Sequence, residues 1–433
     1  MQRIPLTPRE DWQQKVESAG LTFHTLEDGT ANGDPYWDES AAYQFTAAEI
    51  DTLEAAGNTL QQMCLAAAQH IIDEKRYAEL DIPAEAIPAI EWAWNNEPPA
   101  LYGRFDLSWA GAESGHAPKL LEYNADTPTS LLEAAVIQWR WLEEVGSHLP
   151  THTSSRPEAG GRSGETPVSS SSAKPDQFNS IHEKLIAKWK DIDPFLSKPI
   201  YFAALNNPED QLTVTYLRDT AEQAGLPTLQ MYMEEIGWND EQQAFLDPNE
   251  DHMFSIFKLY PWEAMLQEEF GPHAIDTYQS TRWIEPIWKM LLSNKGILPI
   301  LWQLYPNHEL LLPSFFEQPG APCQAASSLT WGDSTPPNNL TSYVRKPLMS
   351  REGANITLVR DGVTVATTTG PYNGPQIDQA LAPEAAFAKE NGTARYPILG
   401  LWMIDQDCCG LGIRESSGPI TDNLSSFVPH YFR

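Results

Sequence analysis

Between residues 102 and 130 the chain reads Tyr102-Gly-Arg-Phe-Asp-Leu107, then a stretch from Ser108 to Pro118, then Lys119-Leu-Leu-Glu-Tyr-Asn124 and Asp126-Thr-Pro-Thr-Ser130. Arg104 and Asp106 stand two apart, as do Glu122 and Asn124. Alternate side chains of an extended segment share a face. Phe105, Leu107, Leu121 and Tyr123 occupy the gaps, and Gly111, Ser114, Gly115 and Pro118 between the two runs are turn formers. The pattern predicts a long-looped hairpin that presents Arg104, Asp106, Glu122 and Asn124 on one surface.

Such a surface needs a cation. Two carboxylates about 4 Å apart repel by roughly 4 kcal/mol at an effective dielectric near 20. Asp, Glu and Asn oxygens are hard ligands of the kind Mg²⁺ takes, commonly together with phosphate. Arg104 beside them offers a planar fork for a phosphoryl or carboxylate group. The plainer alternative is an exposed hairpin in which Arg104 pairs with Asp106 or Glu122. Against it stands the small-hydroxyl run Asp126 to Ser130, which leads into an apolar helix from Leu131 to about Leu149. Thr129 or Ser130 is the expected N-cap, and a helix start beside a metal favours anions.

Gly-Arg-Phe-Asp, followed by Leu-Leu-Glu-Tyr-Asn-Ala-Asp-Thr-Pro-Thr-Ser-Leu-Leu-Glu-Ala, resembles the synthetase domain of the glutathionylspermidine synthase family. Further blocks follow in that family's order: Asn294-Lys-Gly-Ile-Leu-Pro-Ile-Leu-Trp302, Val344-Arg-Lys-Pro347, Arg351-Glu-Gly-Ala-Asn355 and Gly412-Ile-Arg414. The resemblance implies an ATP-grasp fold of α+β and α/β parts in permuted order, with metal-ligand strands ahead of nucleotide lysines, and an associated N-terminal, preATP-grasp lobe. It implies a ligase that joins a carboxylate to an amine using ATP and a pair of Mg²⁺ ions. Arg104 is then the catalytic cation, and Asp106, Glu122 and Asn124 hold the metal. Lys295 and Lys346 hold ATP phosphates under a loop containing Arg351 and Gly353. Asp378, Gln379, Ala380 and Leu381 edge the adenine. Thr127, Thr129 and Arg414 contact substrate, and Glu209 and Asp210 receive the amine.

The residues bear on several of these expectations directly. Lys295 and Lys346 each enter an apolar run, where a lysine needs an anion or must snorkel. A backbone with Gly353 can approach phosphate closely. No Walker A or G-x-G-x-x-G pattern occurs. The segment after Arg414 reads Glu-Ser-Ser-Gly-Pro-Ile-Thr-Asp-Asn and lacks the basic residues of polyamine-conjugating members. The resemblance begins without an amidase region, so a stand-alone member is expected, acting on a peptide-like acid and an amine.

Composition bounds the rest. With 59 acidic and 28 basic residues in 433, the net charge is −31. That disfavours nucleic acid and would attract cations such as polyamines, though solubility alone accounts for much of it. Cys64, Cys323, Cys408 and Cys409 show neither zinc spacing nor a disulfide framework. No signal-peptide core or bilayer-length apolar run is present, so a cytoplasmic protein that does not engage membranes is the expectation. Residues 1–150 read as an arm, helices and the hairpin, and 151–178 as a disordered insertion. Residues 179–285 read as an α/β substrate lobe, and 286–433 as nucleotide-binding lobes with an exposed insertion at 318–341. Two other classes stay open: a non-catalytic nucleotide- or polyamine-binding protein, and a kinase-like phosphotransferase.

Overall fold

The computed structural model describes residues 1–25, 34–150, 174–317, 340–389, 392–423 and 425–433. The predicted hairpin is present. Strands Tyr102–Ser108 and Lys119–Asn124 pair antiparallel, with Arg104 opposite Asn124 and Asp106 opposite Glu122. Tyr102–Ser108 then pairs with Ala394–Ile404, which pairs with Asp407–Ser416. Residues nearly 300 positions apart in the chain thus build one antiparallel sheet.

The apolar gaps explain how the hairpin is anchored. Phe105 and Tyr123 stack with ring centroids 3.8 Å apart, and Tyr123 donates its hydroxyl to Gln61 at 2.9 Å. Gln61 lies on the helix Ala47–Asp73. Thr46 and Glu49 close a capping box at its start, as their spacing predicts. Leu53, Leu60, Cys64, Ala67 and Ile71 bury completely along its face. The helix can lie close on the sheet because residue 57 is glycine. A Cβ there would sit 2.7 Å from the sulfur of Cys408.

Two further sheets complete the frame of the site. A five-stranded antiparallel sheet runs in the order Ser314–Phe316, Gln376–Ala380, Tyr343–Pro347, Thr357–Arg360 and Val363–Thr367. A four-stranded parallel sheet runs Arg282–Ile284, Ser255–Leu259, Ile200–Ala204 and Thr228–Tyr232. The helix Pro208–Gln223 connects two of its strands, as the alternating pattern after Ile181 predicts. Strands Gln2–Pro5, Ala41–Phe45 and His430–Phe432 form a small sheet tying the two ends of the chain together.

Several local expectations are corrected. The helix after Ser130 is not a single α-helix. Glu133–Ile137 is a π-helical turn, Gln138–Val145 is α and Gly146–His148 is 3-10. Neither Thr129 nor Ser130 caps it; Ser130 takes φ +64, and its hydroxyl is engaged elsewhere. The helix Ile87–Asn96 carries Pro88 in its first turn, where proline fits. The apolar element after Lys295 is the helix Ile297–Leu304. Most of both proposed insertions, at 151–173 and 318–339, lies outside the described residues, as does Cys323. Asp176 and Gln177 are tied in: Asp176 bridges to Phe432, and Gln177 donates to the His430 carbonyl at 2.9 Å. Cys64, Cys408 and Cys409 are buried free thiols. Among the described residues no helix is long and apolar enough to cross a membrane.

Candidate active site

A cavity of about 620 Å³ is lined from all three sheets. It collects Arg104, Asp106, Glu122, Asn124, Thr127, Thr129, Glu209, Asp210, Lys295, Lys346, Arg351, Gly353, Gln379, Ala380, Leu381 and Arg414. Of the residues predicted from the sequence, only Asp378 does not line it. Its carboxylate is held instead by Arg345, at 2.7 and 2.9 Å. The reason is strand alternation: in Gln376–Ala380 successive side chains point to opposite faces. Gln379 faces the cavity while Asp378 turns to the other face, where Arg345 holds it; Ala380 and Leu381, at and beyond the strand's end, line the cavity as well.

One corner holds the acidic residues of the hairpin. Arg104 grips Asp106 with two hydrogen bonds, Nε to Oδ1 at 2.6 Å and Nη2 to Oδ2 at 3.0 Å, and donates to the Thr129 carbonyl at 2.7 Å. The plainer sequence alternative, an Arg104–Asp106 pair, is thus realised, but inside a cavity and not on an exposed hairpin. Room for the guanidinium comes from Gly400, which stands opposite Asp106; a Cβ there would lie 2.9 Å from Arg104 Cδ. Burial opposes the charge of Arg104, but Asp106 and then Glu122 raise its pKa overall. Burial raises the pKa of Asp106 despite Arg104.

Asn124 spans the two carboxylates, donating to Asp106 at 2.9 Å and to Glu122 at 3.3 Å. Among the described residues no three His, Cys, Asp or Glu side chains cluster as a metal site. The set offers two carboxylates and one amide oxygen, hard donors of the kind Mg²⁺ takes, drawn together through the Asn124 amide nitrogen.

Lys295 and Lys346 come to the same corner from different elements. Lys295 Nζ lies 2.9 Å from Glu122 and also donates to the Ser350 carbonyl. Lys346 Nζ donates to Gln379 at 2.8 Å and to the Leu121 carbonyl at 3.1 Å. Both lysines are buried, so neither snorkels. Burial would raise the pKa of Glu122, but Lys295 and Lys346 outweigh it and hold it at about 2. Lys346 is pushed down to about 8, chiefly by burial, with Glu122 opposing and Lys295 adding repulsion. A buried ammonium in that condition is stabilised by an added anion.

The loop 350–355 closes one side. Glu352, Gly353 and Asn355 all have positive φ. A Cβ on Gly353 would meet the Thr421 carbonyl at 2.3 Å, so only glycine allows this loop to touch the segment after Arg414. Arg351 donates to Glu263 at 2.6 Å and to Thr127 at 2.7 Å. Beneath Thr127, Asp126 and Lys258 form an ion pair at 2.8 Å with both side chains fully buried. Asp126 also accepts from the Trp262 backbone at 3.0 Å.

The cavity is also lined by Asn207, Glu209 and Asp210 at the start of the helix Pro208–Gln223. Asn207 caps that helix by accepting from the Asp210 backbone at 2.9 Å and holds the Asp210 carboxylate at 2.6 Å. Burial lifts the pKa of Asp210 to about 6, with Asn207 opposing and Glu209 and Glu352 adding to it. Arg414 donates to Ser130 at 3.3 Å and to the carbonyls of Ser425 and Asp422, each at 3.1 Å.

Four residues with roles here escape a reading of the sequence alone. Lys258 hides in the apolar strand run Met253 to Tyr260, although a single lysine in such a run is itself a signal. Glu263 follows that strand and holds Arg351. Tyr36 reads as core in the aromatic arm, and Glu133 as one polar position in an apolar helix. Tyr36 donates to Glu133 at 2.6 Å just behind Ser130.

With this geometry in place, comparison with known proteins gives the class. A family model described as glutathionylspermidine synthase preATP-grasp matches residues 3–433, and the chain belongs to that family. A Haemophilus influenzae protein provisionally named an acid–amine ligase is 36% identical over 438 residues, covering 100% of both chains. A trypanothione synthetase from Crithidia fasciculata is 26% identical over 84% of this chain and 52% of its own length, so this chain spans about half of that relative. A solved glutathione synthetase-like effector from Globodera pallida has a TM-score of 0.51 at 10% identity, covering 98% of this chain and 96% of that one, a likeness of fold alone.

Proposed function

We propose that the chain is an ATP- and Mg²⁺-dependent ligase of ATP-grasp type that joins a small, peptide-like carboxylic acid to an amine. The observation that carries this is the meeting of Arg104, the Asp106–Glu122–Asn124 oxygen set and the buried lysines 295 and 346 in one cavity that Glu209 and Asp210 also line. Family membership and the 36% identical acid–amine ligase relative support the same class.

Lys295 and Lys346 hold the phosphates of ATP, and the loop with Arg351 and Gly353 covers them. Gln379, Ala380 and Leu381 edge the base. Asp106, Glu122 and Asn124 hold Mg²⁺, which when bound neutralises phosphate oxygens. The substrate carboxylate attacks the terminal phosphorus; its O–P bond forms as the bond to ADP breaks, giving an acyl phosphate. Arg104 offsets charge on the transferring group and then on the oxyanion formed when the amine adds, the kind of preorganised contribution that dominates such steps. Glu209 and Asp210 draw the cationic amine. Thr127, Thr129 and Arg414 position the acid.

The test is ADP release from purified protein with Mg-ATP against peptides paired with polyamines or amino acids, with products followed by mass spectrometry. ADP that requires both partners, with a dehydrated adduct of the two, is expected, and Asp106→Asn abolishes it. A phosphorylated acceptor in place of an adduct would establish a phosphotransferase. Thermal stabilisation by Mg-ATP with no ADP under any pair would establish a binding protein.

A further inference from the structure

Behind the cavity wall a chain of hydroxyls leads inward to a buried carboxylate. Ser130 lines the cavity. Its Oγ lies 3.2 Å from the Tyr36 hydroxyl, which donates to Glu133 Oε1 at 2.6 Å. Ser130, Tyr36 and Glu133 are 3%, 2% and 1% exposed. Tyr36 has one proton and gives it to Glu133, so Ser130 must donate to Tyr36. Arg414 in turn donates to Ser130 at 3.3 Å and lies over the Tyr36 ring at 5.2 Å. Every donor points toward Glu133, and a lone pair of Ser130 Oγ is left for a proton arriving from the cavity.

The backbone is shaped to make this chain. Ser130 holds φ +64, and Glu133 begins the π-helical turn, a device that concentrates at functional sites. Among the described residues Glu133 makes no ion pair, unlike Asp106, Glu122, Asp126 and Glu263. The charged and titratable groups that face it are Tyr36 from the N-terminal arm, Glu209 from the helix start and Arg414 from its strand.

We infer, resting on the ligase activity proposed above, that Ser130, Tyr36 and Glu133 form a relay that accepts the proton released by the amine nucleophile. The bound ammonium first gives one proton to solvent; as the neutral amine nitrogen then bonds to the acyl carbon, its remaining surplus proton passes to Ser130 Oγ. Ser130 gives its own proton to Tyr36, and Tyr36 gives its proton to Glu133. The C–O bond to phosphate breaks with its electron pair on the phosphate, the amide forms, and Glu133 ends neutral. When product leaves, the proton returns along the same chain to solvent. Burial lifts the pKa of Glu133 to about 7, with Tyr36 and Arg414 opposing and Glu209 adding to it, in the range where a general base works best at neutral pH. Tyr36 itself is raised by burial and then by Glu133, so it stays a neutral phenol that conducts without ionising. Asp210, at about 6, is the rival base.

The experiment uses the acid and amine that the ADP-release panel selects. Tyr36→Phe and Glu133→Gln are each expected to lower kcat about 10²-fold, with KM for ATP and acid held within about twofold. The rise of kcat with pH through about 7 should vanish in Glu133→Gln. Hydroxylamine, which is neutral at that pH and needs no base, should form hydroxamate at near wild-type rates in both variants. An equal rise in melting temperature with Mg-ATP in all three proteins shows that the variants fold. Retention of the pH limb in Glu133→Gln, its loss instead in Asp210→Asn, or equal losses with hydroxylamine and the amine would overturn the relay while leaving the ligase intact. Absence of hydroxamate and adduct in wild type would overturn the ligase and the relay with it.

Discussion

Glu122 and Glu133 are two glutamates around the same cavity, and they are driven in opposite directions. Burial pushes both toward the neutral form. At Glu122 the ammonium groups of Lys295 and Lys346 reverse that push, and the pKa falls to about 2. At Glu133 the nearest partner is a neutral phenol, and the pKa rises to about 7. One corner is therefore permanently charged and suited to holding cations and phosphate. The other sits at the edge of ionisation and can take and release a proton. Which elements deliver the lysines decides the difference: Tyr343–Pro347 brings Lys346 to Glu122, and no element brings a lysine to Glu133 among the described residues.

The contrast is broken most severely where a carboxylate loses its cation. Lys258→Met leaves Asp126 buried without its partner, and a stability loss of about 3–5 kcal/mol is expected. Chemical denaturation measures it, and a loss below about 1 kcal/mol would show that the pair does little. Arg104→Ala should lower kcat about 10²–10³-fold with little change in ATP affinity; equal losses in both would remove Arg104 from the chemistry.

The pH dependence of stability separates the two glutamates. Glu133 is raised from 4.5 to about 7, so the folded state binds the extra proton between those values. Stability then falls as pH rises through that window and levels off above it, by on the order of 3 kcal/mol at 1.36 kcal/mol per unit. Glu133→Gln should be more stable than wild type at pH 8 and equal to it at pH 4; the reverse order would contradict its environment. Glu122 has the opposite sign. Its contribution is full above its ordinary value of 4.5 and is lost as pH falls toward about 2. The smallest effect expected is Lys346→Ala, which removes one charge-assisted contact and should raise the KM for ATP about 10-fold.

The shared face of the hairpin was legible because strand periodicity puts Arg104 with Asp106 and Glu122 with Asn124; the register, with Arg104 opposite Asn124, was not, since a shift by two residues keeps the same face. Lys295 was legible as a charge just before an apolar run, and Lys346 as a lysine on a short strand ahead of Pro347 and a glycine-containing loop. Asp378 was misplaced because its carboxylate pairs with Arg345 on the neighbouring strand, a contact that only the sheet pairing supplies. The π-turn at Glu133 leaves no mark in an apolar sequence equally suited to an α-helix. Tyr36 meets Glu133 only through tertiary packing across 97 positions of chain. Short-range patterns record faces and caps; they do not record which buried carboxylate receives a cation.

The measurement that bears most directly on the central claim is oxygen transfer from the acid. With the substrate carboxylate labelled with ¹⁸O, ligation through an acyl phosphate delivers one labelled oxygen to the released phosphate. The account predicts that transfer in step with adduct formation, and its loss in Asp106→Asn. Adduct formed with unlabelled phosphate would contradict it, because the carboxylate would then never have been phosphorylated.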